Sequence, residues 1–141
     1  MHETLTLRNV ASSVEHFKSP AILLQAFEAR SCNLISKVYK IFTESKLPNK
    51  VKENELFQQK KLLMTREHIK CVQATIFYDK ITKTPIKDPK VKQHLLLLFT
   101  IYALDDLLQN AISCYDTGFF AAGSLRNMQI AMNESVEALR P

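Results

Sequence analysis

Glu67 and His68 stand side by side in the stretch EHIKCVQATIF, and a carboxylate next to an imidazole suggests acid–base chemistry. No partner for His68 is visible along the chain, and a lone histidine on a helix is more often a packing residue than a catalyst. Arg30 lies near the edge of a helical apolar face. There it reads as a packing stem with a surface ion pair to a neighbouring acid rather than as an anion site. The three cysteines, Cys32, Cys71 and Cys114, are widely separated and each falls in a helical pattern. They read as small core residues, because a zinc site needs Cys or His in close pairs, which His2, His16, His68 and His94 do not supply. An odd, unpaired cysteine set with no signal-peptide profile points to a reducing, intracellular setting.

The formal net charge of +5 is concentrated in the middle of the chain. Lys37, Lys40, Lys46, Lys50, Lys52, Lys60, Lys61, Arg66, Lys70, Lys80, Lys83, Lys87, Lys90 and Lys92 could form a footprint for an anion. A solvated helix exterior is the preferred reading, since lysine lacks the planar fork suited to specific phosphate recognition. With only two glycines, Gly118 and Gly123, neither a phosphate loop nor a dinucleotide fingerprint can be built. The same scarcity argues against a glycine-turned β-sandwich or barrel.

The elements that would position these residues are helices. The chain of 141 residues is long enough for one domain with a real core, and 46% of it is hydrophobic. Its organising stretch runs from Asp88 to Gly118. Asp88 is a candidate cap, Pro89 a first-turn proline, and Leu95 to Leu104 is apolar on nearly every face. Gly118 is a candidate left-handed stop. Read as one helix this stretch runs roughly 40 Å. It is too short in its apolar part to cross a membrane and must be wrapped by other helices.

Met1–Lys18 is a weakly patterned lead-in, with a candidate extended piece at Thr4–Leu7 and a helical turn marked by Val10, Val14 and Phe17. Ser19-Pro20 opens a helix to about Ser45 whose stripe is Leu23, Leu24, Phe27, Leu34, Ile35, Val38, Ile41 and Phe42. After the break at Pro48, a second helix is expected from about Lys52 to Ile81, with its stripe on Leu56, Leu63, Ile69, Val72, Ile76 and Phe77. Leu62, Met64, Cys71 and Tyr78 flank that stripe. Ser124 is placed as the cap of a last helix through Leu139, with Leu125, Met128, Met132, Val136 and Leu139 on one side. The expected fold is an all-α, up-and-down four-helix bundle.

In this order the chain resembles the C-terminal helical domain of the acyl-CoA oxidases, flavoenzymes of peroxisomal fatty-acid β-oxidation. In SPAILLQAFEARSCNLI, Ser19, Pro20, Leu23, Ala26, Phe27, Arg30 and Leu34 match that domain's opening. In EHIKCVQATIF, His68 and Phe77 keep the family's spacing, while Cys71 replaces a Tyr and Glu67 an Ala. LFTIYALDDLLQNAISCYDTGFF is similar to the family's Leu-Tyr-Gly/Ala-Leu helix ending at Gly-aromatic-Phe. Its YDTGFF points to the branched-chain (pristanoyl) type or an oxidase-like relative.

The resemblance spans residues 19–141, after the lead-in 1–18. It implies a domain that covers FAD and makes homodimer contacts, on a catalytic core whose glutamate base lies before it. By this reading the final Leu-Arg-Pro is a cut end where the family continues. The chain alone lacks the catalytic glutamate and most of the flavin site, and is expected to be inactive. Neither a carboxylate pair nor a nucleophile–base arrangement is expected. Localisation by resemblance is peroxisomal, although no Ser-Lys-Leu-type ending is visible. Acyl-CoA is a partner only in the full-length context, and no nucleic acid is expected. The alternative is a free-standing helical interaction module, and a third possibility is salt-sensitive anion binding by the central lysines.

Overall fold

A computed structural model describes residues 10–52 and 58–140. Four long helices carry the fold: α2 (Pro20–Glu44), α4 (Gln58–Lys83), α5 (Pro89–Gln109) and α7 (Ser124–Ala138). Three short ones join them: α1 (Val14–Lys18), α3 (Asn49–Val51) and α6 (Ala111–Tyr115). The described residues contain no strand; a single parallel bridge pairs Ala11 with Phe120.

The long helices alternate in direction. The C-terminal end of α2 meets the start of α4, where Lys61 Nζ lies 5.4 Å from the Phe42 ring centroid. The end of α4 meets the first half of α5 through Phe77 and Phe99, whose ring centroids are 5.5 Å apart, edge to face. α5 packs along α7, and α1 lies against α7, α2 and α5. The all-α expectation holds.

The local chemistry explains most of the helix boundaries. Asp88 caps α5 as expected, its Oδ1 accepting from the Lys90 amide at 2.8 Å, with Pro89 in the first turn. Ser19 precedes Pro20 at the start of α2, but its side chain makes no capping bond. Ser124 is not the cap of α7. That position belongs to Gly123 at φ +82°, and Ser124 turns inward, its buried Oγ donating to Ala121 O at 2.6 Å and Ala11 O at 3.1 Å.

The organising helix is shorter than its sequence suggests. It stops at Gln109 because Asn110 leaves helical geometry (φ −116°, ψ 29°) and its Nδ2 donates to the Asp106 carbonyl at 2.9 Å. Only the short α6 follows before Gly118, whose φ of +71° makes the turn. Nor is α5 wrapped all round: Phe99, Ala103, Leu104 and Leu107 are buried, but Val91, Leu98 and Tyr102 keep exposed faces.

α4 turns a different face inward from the one its apolar periodicity suggests. Its buried residues are Glu67, Cys71, Ala74 and Ile81, while Leu63, Ile69, Val72 and Ile76 of the expected stripe are exposed. Leu56 of that stripe, like the Thr4–Leu7 piece and His2, lies outside the described residues. In the segment before α2, Ser13 and His16 form a reciprocal capping box that starts α1 and buries Phe17.

Candidate functional site

The charged side chains that come together do so in the middle of the bundle. Arg30, on the α2 face that meets both α4 and α5, is 0% exposed. Its Nη2 donates to Asp106 Oδ2 at 2.6 Å and sits 2.8 Å from Glu67 Oε2. The latter is an ion contact not aligned as a hydrogen bond, so Glu67 Oε2 and Arg30 Nε have no hydrogen-bond partner among the described residues. Lys70, one turn along α4 from Glu67, donates to Asp106 Oδ1 at 2.5 Å. Arg66 Nε holds Glu67 Oε1 at 3.2 Å from the outside. The guanidinium also lies 5.0 Å from the Phe27 ring centroid and 3.8 Å from Cys114 Sγ.

This placement corrects three readings of the sequence. Arg30 is not at a surface edge but enclosed, because the carboxylates that neutralise it come from two other helices. A carboxylate pair is in fact assembled, from Glu67 and Asp106. A hydroxyl–imidazole pair is assembled too: Ser31 Oγ and His68 Nδ1 lie 3.2 Å apart across α2 and α4.

Neither pair is set up for catalysis. Both carboxylates are held by cations, and the Ser31 hydroxyl is sealed from solvent. Desolvation pushes the Asp106 carboxyl up, but the hydrogen bonds from Lys70 and Arg30 outweigh it and hold the group below the ordinary carboxylate range. A carboxylate held ionised in this way is a poor proton acceptor near neutrality. Burial likewise disfavours the Arg30 charge, and its anionic neighbours reverse that effect. Burial pushes the Cys114 thiol up. It is therefore neutral at physiological pH, and the two carboxylates balance the charges of Arg30 and Lys70.

The remaining candidates are dispersed. His16 serves the α1 capping box, and His94 Nδ1 lies 2.7 Å from the Lys90 carbonyl. Cys71 and Cys114 are buried and Cys32 is partly so. Among the described residues no group of three or more His, Cys, Asp or Glu could hold a metal ion. No helix there is long and apolar enough to cross a membrane.

The central lysines do not converge. Lys37 pairs with Asp116 at 2.5 Å, Lys83 with Asp79 at 2.6 Å and Lys40 with Glu44 at 3.9 Å. Lys52 and Lys61 instead flank the Phe42 ring at 5.3 and 5.4 Å. That ring helps line an open apolar groove of about 420 Å³ between α2 and α4, with Ile35, Val38, Tyr39, Met64 and Thr65.

The fold and this interior define an all-helical domain held in register by one buried charge cluster. The sequence profile of the acyl-CoA oxidase family matches residues 19–141, so the chain belongs to the acyl-CoA oxidase family. The solved structure of Arabidopsis thaliana acyl-CoA oxidase 1 has the same fold, with a TM-score of 0.80 over 99% of this chain at 22% identity. The chain spans 21% of that protein. A search of curated proteins finds no match.

The family implies a flavin. Its diphosphate needs several convergent donors, yet Arg30, Lys37, Lys70 and Lys83 are committed to carboxylates. Among the described residues, Lys61 is the one cation in the groove lining, with Lys52 beside it on the Phe42 ring. The described residues do not by themselves fit a flavin.

Proposed function

We propose that this chain is the C-terminal helical domain of an acyl-CoA oxidase-like protein of peroxisomal fatty-acid β-oxidation, with an architectural role. It covers the flavin side of a catalytic core built elsewhere and contributes to a homodimer contact. The observation that carries this reading is the family match over residues 19–141. The exposed apolar faces of Val91, Leu98 and Tyr102 on α5 support it, since a helix of this composition gains by being covered.

The chain alone performs no oxidation. Glu67 and Asp106 spend their charge on Arg30 and Lys70, which leaves neither as a base for an acyl α-proton. What Arg30 does is structural: it ties α2 to α4 and α5 and so sets which faces of these helices remain outside. Sedimentation of the purified chain with and without FAD and a long-chain acyl-CoA tests the reading, together with a peroxide assay. A colourless dimer that ignores both ligands and makes no peroxide is the expected result. Retained flavin, or peroxide formed from acyl-CoA, would overturn it.

A further inference from the structure

α4 is apolar on two opposite faces. Glu67, Cys71, Ala74 and Ile81 face the bundle. On the far side Leu62, Ile69, Val72 and Ile76 are 64%, 51%, 42% and 54% exposed. Leu62, Ile69 and Ile76 recur at intervals of seven, and Val72 divides the last interval into three and four. That is the a/d seam along which two helices pack. With Thr65 it extends over about two heptads, on the side of α4 opposite the buried face.

The seam has two further properties. It adjoins the apolar groove between α2 and α4, because Lys61 and Thr65 line both. Its α4 flanks are also mostly basic. Among the described residues of α4, Lys61, Arg66, Lys80 and Lys83 border it, against the carboxylate of Asp79, which Lys83 already holds at 2.6 Å, while Glu28 of α2 stands near Cys71.

We propose that the outer face of α4 docks an acidic amphipathic helix of a partner protein, with its apolar residues at three- and four-residue spacing on the seam, a bulky one in the groove and carboxylates against Lys61, Arg66 and Lys80. Charge complementarity selects this occupant. A second copy of the same face would bring its own basic flanks against these. A lipid surface is a poorer match, because the apolar row is a narrow seam, in a chain that has no tryptophan to anchor at an interface. This docking requires neither the flavin-covering nor the homodimer role proposed above, and it adds a partner of stated chemistry to a helix that those roles leave unspecified.

The test uses the whole chain and two synthetic helical peptides of three heptads, both with Leu at a and d. One carries Glu at e and g, the other Lys. Fluorescence anisotropy should show that the Glu peptide binds and the Lys peptide does not, with binding that weakens as salt is added. Ile69→Glu and Ile76→Glu should each weaken it by about tenfold or more. Ile69→Gln, a milder change at the same exposed site, should weaken it in the same direction while the helical circular dichroism stays unchanged. Arg66→Glu combined with Lys80→Glu should transfer the preference to the Lys peptide. Failure of the Glu peptide to bind overturns the proposal, as does equal binding of both peptides or binding unaffected by the Ile69 variants. A dimer abolished by Ile69→Glu would assign the face to a second copy and overturn it too. Binding to vesicles of phosphatidylcholine and phosphatidylserine, lost in the same variants and without peptide binding, would assign it to a membrane. Because none of these readouts involves flavin or peroxide, failure here is separable from failure of the architectural reading.

Discussion

Arg30 and Asp106 lie 76 residues apart in the chain and meet at 2.6 Å in the middle of the bundle, where the same Arg30 nitrogen also contacts Glu67 at 2.8 Å. One buried cation thus joins three helices. Arg30→Met should remove that cation, leaving Asp106 to Lys70 alone and the buried Glu67 Oε2 without its counter-charge. Breaking a buried pair from one side costs about 3–5 kcal/mol, more than the packing that the methionine stem restores. Urea unfolding is the measurement. Adding Glu67→Gln to Arg30→Met should recover part of the loss, because it removes the buried charge that Arg30 had faced, and the coupling follows from a double-mutant cycle. Arg30→Lys should also destabilise, since a compact, strongly hydrated ammonium is costlier to bury than a guanidinium and loses the Nη1 contact with Cys114 Sγ. A loss below about 1 kcal/mol for Arg30→Met would show that the cluster is not holding the helices together.

The same cluster makes stability depend on acid. The Asp106 carboxyl is desolvated, but Lys70 and Arg30 more than offset this and hold it below its ordinary value. The unfolded chain therefore takes up a proton at Asp106 more readily than the folded one. The stabilisation is complete above the unfolded value of about 3.9 and disappears as pH falls through the lower folded value. The melting temperature should drop more steeply for the native chain than for Asp106→Asn as pH is lowered from about 5 to 3. Parallel curves for the two proteins would contradict the assignment.

Thiol reactivity should divide the three cysteines. Desolvation pushes the Cys71 and Cys114 thiols up, and both side chains are buried, so little reactive thiolate is present or reachable. Cys32 is only partly buried. Titration of the native chain with a disulfide reagent should give one faster phase, removed by Cys32→Ser. The two slower phases should accelerate to its rate in denaturing urea. Three equal phases in native buffer would be inconsistent with the packing.

The helices themselves were legible because their signals are local. The proline at the start of α2, the Asp88-Pro89 start of α5 and the stripe through Leu23 and Phe27 all depend on residues within a turn or two of each other. The inward face of α4 was not legible. Its outer seam carries larger apolar side chains than its inner face, and periodicity detects a stripe without saying which way it points. Glu67 read as a possible acid–base neighbour of His68, and Arg30 as a surface base. The burial of each is permitted by the other and by Asp106, all on different helices. A usable signal was present: Glu67 keeps helical register with Cys71 and Ala74, and Asp106 lies two residues past the most apolar run of the chain. Opposite charges embedded in three apolar stretches imply that they neutralise one another.

The core also reaches in front of the segment that the family profile matches. Phe17, before the first matched residue at 19, is fully buried, with its ring centroid 5.7 Å from that of Phe120 in edge contact. Ala11 is buried beside it, and its carbonyl accepts from the Ala121 amide at 3.1 Å and from Ser124 Oγ at 3.1 Å. Lys18 adds an ion pair to Glu134 on α7. Residues 10–18 therefore close the α5–α7 side of the bundle and cover Phe119 and Phe120. Phe17→Ala should cost about 3–5 kcal/mol, the usual range for an aromatic side chain removed from a packed core. Lys18→Ala, which loses only exposed ion pairs to Glu134 and Glu15, should melt close to the native chain. A chain beginning at residue 19 should melt well below the native one and bind more of a hydrophobic dye, because Phe120 and the start of α7 lose their cover. Equal melting temperatures for the two chains would show that the fold is complete without this segment.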